Sequence, residues 1–321
     1  MPFVHEDRDF DDLLSIVAER QGLTIAAVEK DYWVTHVLWA ILAQGFDVWF
    51  KGGTSLSKGF GLIKRFSEDL DLKIEPGSAT ALPRVSDWTR ESRQATQQRQ
   101  TYFEALSMLL RVPGAEIHLS VPDNERRWRG ANLEVNYQGR HLDALGVLKP
   151  FVLLEVGSAR VTPFLERDCT SFIHDYLDEE GELGNYEDNR PRSVRCLHPL
   201  VTLIEKLDSL QRRALQQVDR APATFVRHYE DAAHIIAAAA ELPALEGYSD
   251  VSALADEMLT ERQIRQRPAS DDPAFVPAAD ERWQQIRAAH TAIGPMFWGD
   301  RIALRDACEV IRAWLATELK G

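Results

Sequence analysis

Apolar residues in the first forty positions recur at helical spacing. Leu13, Leu14, Ile16 and Val17 form one set, and after Gly22 a second runs through Ile25, Val28, Trp33, Val34, Val37 and Leu38. Two consecutive helices are predicted. The period then changes. Val48-Trp49-Phe50 reads as a short buried strand broken by Gly52-Gly53, with Thr54-Ser55 placed to cap a short helix toward Gly59 and Gly61. A second strand runs through Asp69-Leu70-Asp71-Leu72-Lys73-Ile74 and stops at Pro76-Gly77. A polar, helical segment separates it from further strands at 115–121, 131–137 and 151–156, the last bounded by Pro150 and Gly157.

From His198 onward the pattern is helical. Pro199 stands where an N1 proline would, and Leu200, Leu203, Ile204, Leu207 and Leu210 mark one face. Segments 224–240 and 302–319 read as further helices, and 266–279, rich in Pro and Asp, as a loop. The expected fold is α+β: a mixed sheet of about four or five strands framed by N-terminal helices, then a helical C-terminal region. Its expected domains are 1–165 and 166–321, with the break between 165 and 195.

At 321 residues the chain can bury a full core without staples. No segment approaches the roughly 18 unbroken apolar residues of a membrane span. The start, MPFVHEDRDFDDLL, lacks the basic residues and apolar run of a secretory signal. Cys169, Cys196 and Cys308 are far apart and without C-x-x-C spacing, so no disulfide framework or zinc site is indicated. A cytoplasmic setting is expected, with the cysteines acting as small buried hydrophobes. The net charge of −13 argues against broad non-specific nucleic-acid binding. The charge is uneven, however: acids gather at 175–188, while arginines recur at 84–99, at Arg126, Arg127 and Arg129, and at Arg190, Arg192 and Arg195. These are solvated faces or local basic patches.

Candidate chemistry concentrates in Lys51-Gly52-Gly53-Thr54-Ser55-Leu56-Ser57-Lys58 and in Arg65-Phe66-Ser67-Glu68-Asp69-Leu70-Asp71-Leu72. A strand ending in two glycines lets backbone amides approach a ligand closely, which suits a triphosphate. Asp69 and Asp71, two apart on a strand, leave the same face and repel unless a cation lies between them. A bare D-x-D also fits a half-exposed strand with an acidic face. After a glycine turn, the pair suits Mg2+ that also takes phosphate oxygens. Glu155, ending the apolar run 151–154, is the candidate third carboxylate of a two-metal site, or an edge-strand Glu turned to water. Lys206 and Arg213, seven apart in K-L-x-x-L-x-x-R, share a helix face and could address one anion; the alternative is a solvated cationic edge.

Residues 51–72 resemble the signature of the AbiEii/AbiGii toxin family of nucleotidyltransferases, G-G-[ST]-x-L followed by R-x-S-x-D-x-D. Lys30-Asp31-Tyr32-Trp33-Val34, Leu154-Glu155-Val156, Lys206-Leu207 and Arg227-His228-Tyr229-Glu230-Asp231 extend the resemblance over roughly 25–240. Glu230 stands where an aromatic residue is more usual, and the tail past 240 matches no motif of the resemblance.

The resemblance implies a DNA polymerase β-like core and transfer of a nucleotide from an NTP, with Mg2+ (Mn2+ as the alternative ion). It implies a tRNA 3′ end as acceptor and a cognate antitoxin as partner, in a toxin–antitoxin or phage-defence system. By the same resemblance Gly53, Thr54 and Ser55 would hold phosphates and Asp69 and Asp71 metal; Gly52 and Ser67 are further nucleotide-binding candidates, and Glu155 the candidate third metal ligand. Lys206, with Arg213, would contact the triphosphate, Asp231 would be the late acid, and the C-terminal domain would complete the cleft. Two alternatives stand beside this: a protein hydroxyl as acceptor, and a nucleotide-binding regulator without turnover. For an RNA acceptor, Arg126, Arg127 and Arg129, with Trp128 to stack on a base, are the candidate patch, and Arg190, Arg192 and Arg195 the second choice.

Overall fold

A computed structural model of the chain describes residues 1–67, 69–78, 81–120, 127–141, 149–158, 160–214 and 222–319. They form two compact units, one of residues 1–60 and 67–196, the other of 61–66 and 197–321. Residues 166–196, assigned from the sequence to the second domain, therefore belong with the first unit.

In the first unit, α1 (Phe10–Gln21) and α2 (Ile25–Ala43) are the two expected helices. Thr24 caps α2 by accepting from the Ala27 N–H, and Gly22 ends α1 in the left-handed region at φ 65°. Helix α2 is buried nearly all round, as befits a helix apolar on every face. Its Trp33 stacks on Tyr137 with ring centroids 4.9 Å apart.

Among the described residues the sheet has seven strands, more than the four or five expected. They are β1 (Asp47–Lys51), β2 (Asp69–Glu75), β3 (Ala115–Ser120), β4 (Gly130–Tyr137), β5 (Val152–Gly157), β6 (Phe164–Arg167) and β7 (Val194–Leu197), in the order β3-β4-β5-β2-β1-β7-β6. β1 runs antiparallel to β2 and parallel to β7, β2 is parallel to β5, and β5, β4 and β3 alternate in direction. The two strands that periodicity missed have four residues each, too few to show a period.

Strict alternation turns one face of β2 inward. Leu70, Leu72 and Ile74 are buried, while Asp69, Asp71 and Lys73 lie on the opposite face. A short helix, α3 (Gly52–Lys58), packs on β1 and β2, and α4 (Arg93–Leu109) and α5 (Phe172–Glu179) complete the unit. Helix α3 begins at Gly52, two residues before the expected cap, with Lys51 in the N-cap place. Thr54 is no cap. Its hydroxyl donates to the carbonyls of Ser67 (2.9 Å) and Asp69 (2.6 Å), tying α3 to the start of β2.

The second unit is helical: α6 (Pro199–Ala214), α7 (Arg227–Ala238), α8 (Val251–Thr260), α9 (Glu281–Ala292) and α10 (Leu304–Glu318). Pro199 is the first residue of α6, and α7 packs on both α6 and α10. Residues 61–66 join this unit through backbone bonds from Phe66 N–H to the Met296 carbonyl (2.7 Å) and from Trp298 N–H to the Lys64 carbonyl (3.0 Å).

Candidate active site

The strand register places one polar row across the sheet. Lys51 lies opposite Asp71, Asp71 opposite Glu155, Glu155 opposite Asn132, and Asn132 opposite Ser120. Cross-strand partners share a face, so the row joins the C-terminal ends of β1 and β5 to the first half of β2. Asp69, two residues before Asp71, adds a second carboxylate on that face. Glu155 breaks an otherwise buried strand, with Leu154 and Val156 inside and its own side chain outside.

Gly52 sets how closely α3 approaches these acids. Its φ is 75°, and a Cβ built there would fall 1.8 Å from Asp71 Oδ2 and 2.7 Å from its Cγ. Only glycine satisfies both demands, because the left-handed backbone and the missing side chain are used together. Gly53, Thr54 and Ser55 are buried in the first turns of α3. Ser67 presents its carbonyl to Thr54, so these residues build the turn from within.

The electrostatics follow from crowding. Although Glu155 keeps a solvent-accessible edge, desolvation of its carboxyl raises the pKa to about 7, with further upward pushes from Asp71 and Asp69. Lys149 answers the charge at one end of the row, with its ammonium 2.9 Å from Asp69 Oδ1. Among the described residues no three His, Cys, Asp or Glu side chains close on one point as a preformed metal centre. Asp69, Asp71 and Glu155 form an open row instead. A donor set that is all oxygen and all anionic fits a hard divalent cation that keeps places for water and phosphate oxygens.

The second unit holds the remaining sequence candidates. Asp231, 0% exposed, accepts a two-pronged bond from Arg65, Nε to Oδ1 at 2.7 Å and Nη2 to Oδ2 at 2.8 Å, and a third from Lys206 Nζ at 2.7 Å. Burial alone would raise the Asp231 pKa, but the two cations hold it well below the usual carboxylate range. Burial lowers the Lys206 pKa, and burial with the Lys206 charge lowers that of His228 to about 3. Lys206 is thus an interior ammonium rather than a solvated edge. Arg213 sits on the last turn of α6, partly buried. Glu230, at the place of the usual aromatic residue, is itself fully buried. It accepts from Arg301 Nε and Nη2 and from the Ile302 N–H, and its Oε1 lies 2.8 Å from His290 Nε2.

The candidate RNA-binding arginines are engaged with acids. Arg127 pairs with Glu91, and Arg129 donates to Glu91 and to the Thr89 carbonyl, both at 3.0 Å. Arg126 lies outside the described residues. Trp128 is half-buried and stacks on Phe103 against the core rather than standing free for a base. Arg190 pairs with Asp188 and Asp178, Arg192 with Asp168 and Asp188, and Arg195 with Asp47. The three cysteines are buried free thiols, as expected.

Sequence reasoning quoted Arg65 within a motif without giving it a role, and missed Lys149 altogether. Neither partner is local. Arg65 is 166 residues from Asp231, and Lys149 is 80 from Asp69.

A mixed α/β fold with an acidic row beside a glycine turn is consistent with a nucleotidyltransferase. The family model for the nucleotidyl transferase AbiEii toxin of type IV toxin–antitoxin systems matches residues 38–307, and the chain belongs to that family. The match continues past residue 240, where the motif resemblance ends. A crystal structure of JHP933 from Helicobacter pylori is similar at 14% identity, covering 88% of this chain and 91% of that one, with a TM-score of 0.36. No curated protein matches. Among the described residues no helix is long and apolar enough to cross a membrane.

Proposed function

We propose that the protein transfers a nucleotide from an NTP to the hydroxyl at a tRNA 3′ end, in the cytoplasm, as the toxin partner of a cognate antitoxin. The observation that carries this reading is the row Asp69, Asp71 and Glu155 closed on one side by Gly52. A pure nucleotide-binding regulator has no use for three adjacent carboxylates on one sheet face.

In the proposed step the acceptor oxygen forms a bond to the α-phosphorus. The bond from that phosphorus to the bridging oxygen breaks, and pyrophosphate leaves with the electron pair. The hydroxyl proton leaves to water. Asp69, Asp71 and Glu155 would hold Mg2+, which when bound neutralises phosphate charge and activates the hydroxyl. Gly52 and Gly53 present backbone to the phosphates, while Thr54, Ser55 and Ser67 keep that turn in place. By the family resemblance Lys206 and Arg213 would supply positive charge to the triphosphate, and within the second unit Asp231 with Arg65 holds the Lys206 ammonium in one position.

One observation favours a protein hydroxyl as the second reading. The arginines Arg127 and Arg129 already serve Glu91, which leaves less positive charge for RNA on a chain of net charge −13. The test is transfer by Asp69→Asn and Asp71→Asn, scored as pyrophosphate release and as label gained by RNA or by protein. Loss of transfer to below a few per cent, with thermal unfolding unchanged, is expected. Turnover near that of the parent overturns the assignment of the row.

A further inference from the structure

Two adjacent charged residues of α2, each 1% exposed, grip both ends of the connection between β4 and β5. Glu29 accepts from the Arg140 N–H at 2.8 Å and the His141 N–H at 3.0 Å. Lys30 donates to the Lys149 carbonyl at 2.8 Å and to the Phe151 carbonyl, with its ammonium 5.7 Å from the Tyr137 ring centroid. A buried carboxylate and a buried ammonium are each an expensive way to hold a helix to a sheet, since taking a charge out of water carries a cost that apolar residues do not. What this pair does and apolar residues cannot is fix polar backbone groups at stated points.

The fixed point at the second end is the backbone of Lys149. From there its side chain, 38% exposed, carries the ammonium to 2.9 Å from Asp69 Oδ1. A lysine of that exposure ordinarily samples many rotamers. Here its own carbonyl is tethered from the core, and its Nζ is directed at the first acid of the candidate row. The ammonium stands where a cation is wanted, on a stem long enough to swing from the carboxylate to an anion beside it.

We propose that Lys149 is a nucleotide-contacting catalytic residue. Its ammonium neutralises Asp69 in the metal-free protein and binds the phosphates of an NTP once that carboxylate is taken up by a divalent cation. Glu29 and Lys30 are positioning residues that hold it there. This deepens the nucleotidyltransferase reading and rests on it.

The test is calorimetry of the full chain with Mn2+ alone, and with the α,β-methylene analogues of ATP, CTP, GTP and UTP in the presence of Mn2+. Lys149→Gln should bind Mn2+ alone several-fold more tightly, because a competing ammonium is gone, yet bind the preferred analogue at least tenfold more weakly. Lys149→Arg should recover part of the analogue affinity. Lys30→Met and Glu29→Gln should each shift both affinities in the same directions, and adding Lys149→Gln to either should change little further. A merely structural role would not produce that non-additivity. Analogue binding by the parent together with unchanged affinities in Lys149→Gln overturns the proposal alone. Additive effects in the double variants overturn the positioning roles. No analogue binding by the parent overturns the nucleotidyltransferase reading and this proposal with it.

Discussion

Gly52→Ala probes the closest approach in the site. The substitution has two separable effects, a side chain on a left-handed backbone and a Cβ placed 1.8 Å from Asp71 Oδ2. The first costs about 1–2 kcal/mol. The second cannot be accommodated without moving the carboxylate or α3 by about 1 Å or more, and a displacement of that size at a reacting centre lowers the rate by roughly 10²-fold. Gly22→Ala is the matched control, since Gly22 has φ 65° and no atom within 4 Å of the added Cβ. Urea unfolding should show both variants losing about 1–2 kcal/mol, with any excess in Gly52→Ala measuring the clash. Transfer, scored as pyrophosphate release per folded molecule, should fall by roughly two orders of magnitude in Gly52→Ala and stay at the parent rate in Gly22→Ala. Equal rates in the two variants would refute the claim that Gly52 places Asp71 for chemistry.

Three further outcomes are expected. His36 and His174 are fully buried and, with burial as the main cause, held neutral with pKa values of about 3 and about 4. A depressed histidine stabilises fully above its unfolded pKa of 6.5 and loses that contribution as pH falls toward the folded value. Each should therefore withdraw about 2 kcal/mol by pH 5, and a urea midpoint unchanged between pH 7.5 and pH 5 would contradict this. Arg65→Leu should destabilise the protein by about 3–5 kcal/mol by stripping one partner from buried Asp231, with the Arg65→Leu/Asp231→Leu double variant losing less than the single one. If RNA is held by Arg126, Arg127 and Arg129, their joint replacement by Ala should make RNA labelling less salt-dependent, by roughly 0.7–0.9 in log–log slope per lost phosphate contact. Unchanged labelling at every salt concentration would assign those arginines to Glu91 and the local fold.

Much of the acidic site was legible because it depends on local spacing. The alternation of Asp69 and Asp71 with Leu70 and Leu72 gave both the strand and its polar face, and a lone acid in a run of apolar residues marked Glu155. The long-range partners were not legible. Nothing near Lys149 announces Asp69, and nothing near Arg65 announces Asp231, since those pairs exist only after strands and helices have been placed. The motif Lys30-Asp31-Tyr32-Trp33-Val34 was visible as a pattern but not as a function. Its Lys30 tethers backbone, its Asp31 pairs with Lys58 at 2.6 Å, and its Tyr32 hydroxyl joins His5 and Asn189. Roles within the glycine turn were only half visible. Sequence reasoning treated Gly52 and Gly53 alike and cast Thr54 as a cap, whereas the left-handed backbone falls on Gly52 and the Thr54 hydroxyl serves the carbonyls of Ser67 and Asp69.

The central claim is that this row of acids performs nucleotidyl transfer, and the most direct measurement combines label and leaving group in one reaction. Purified protein is incubated with Mg2+, total cellular RNA and each α-labelled NTP in turn, and label in RNA and protein is compared with pyrophosphate released. The account predicts one preferred NTP, label in the tRNA fraction matched by equimolar pyrophosphate, and loss of both in Asp71→Asn. Label in protein instead would move the acceptor and keep the chemistry. No pyrophosphate and no label with any NTP, from a protein that is folded and supplied with Mg2+, would contradict the claim.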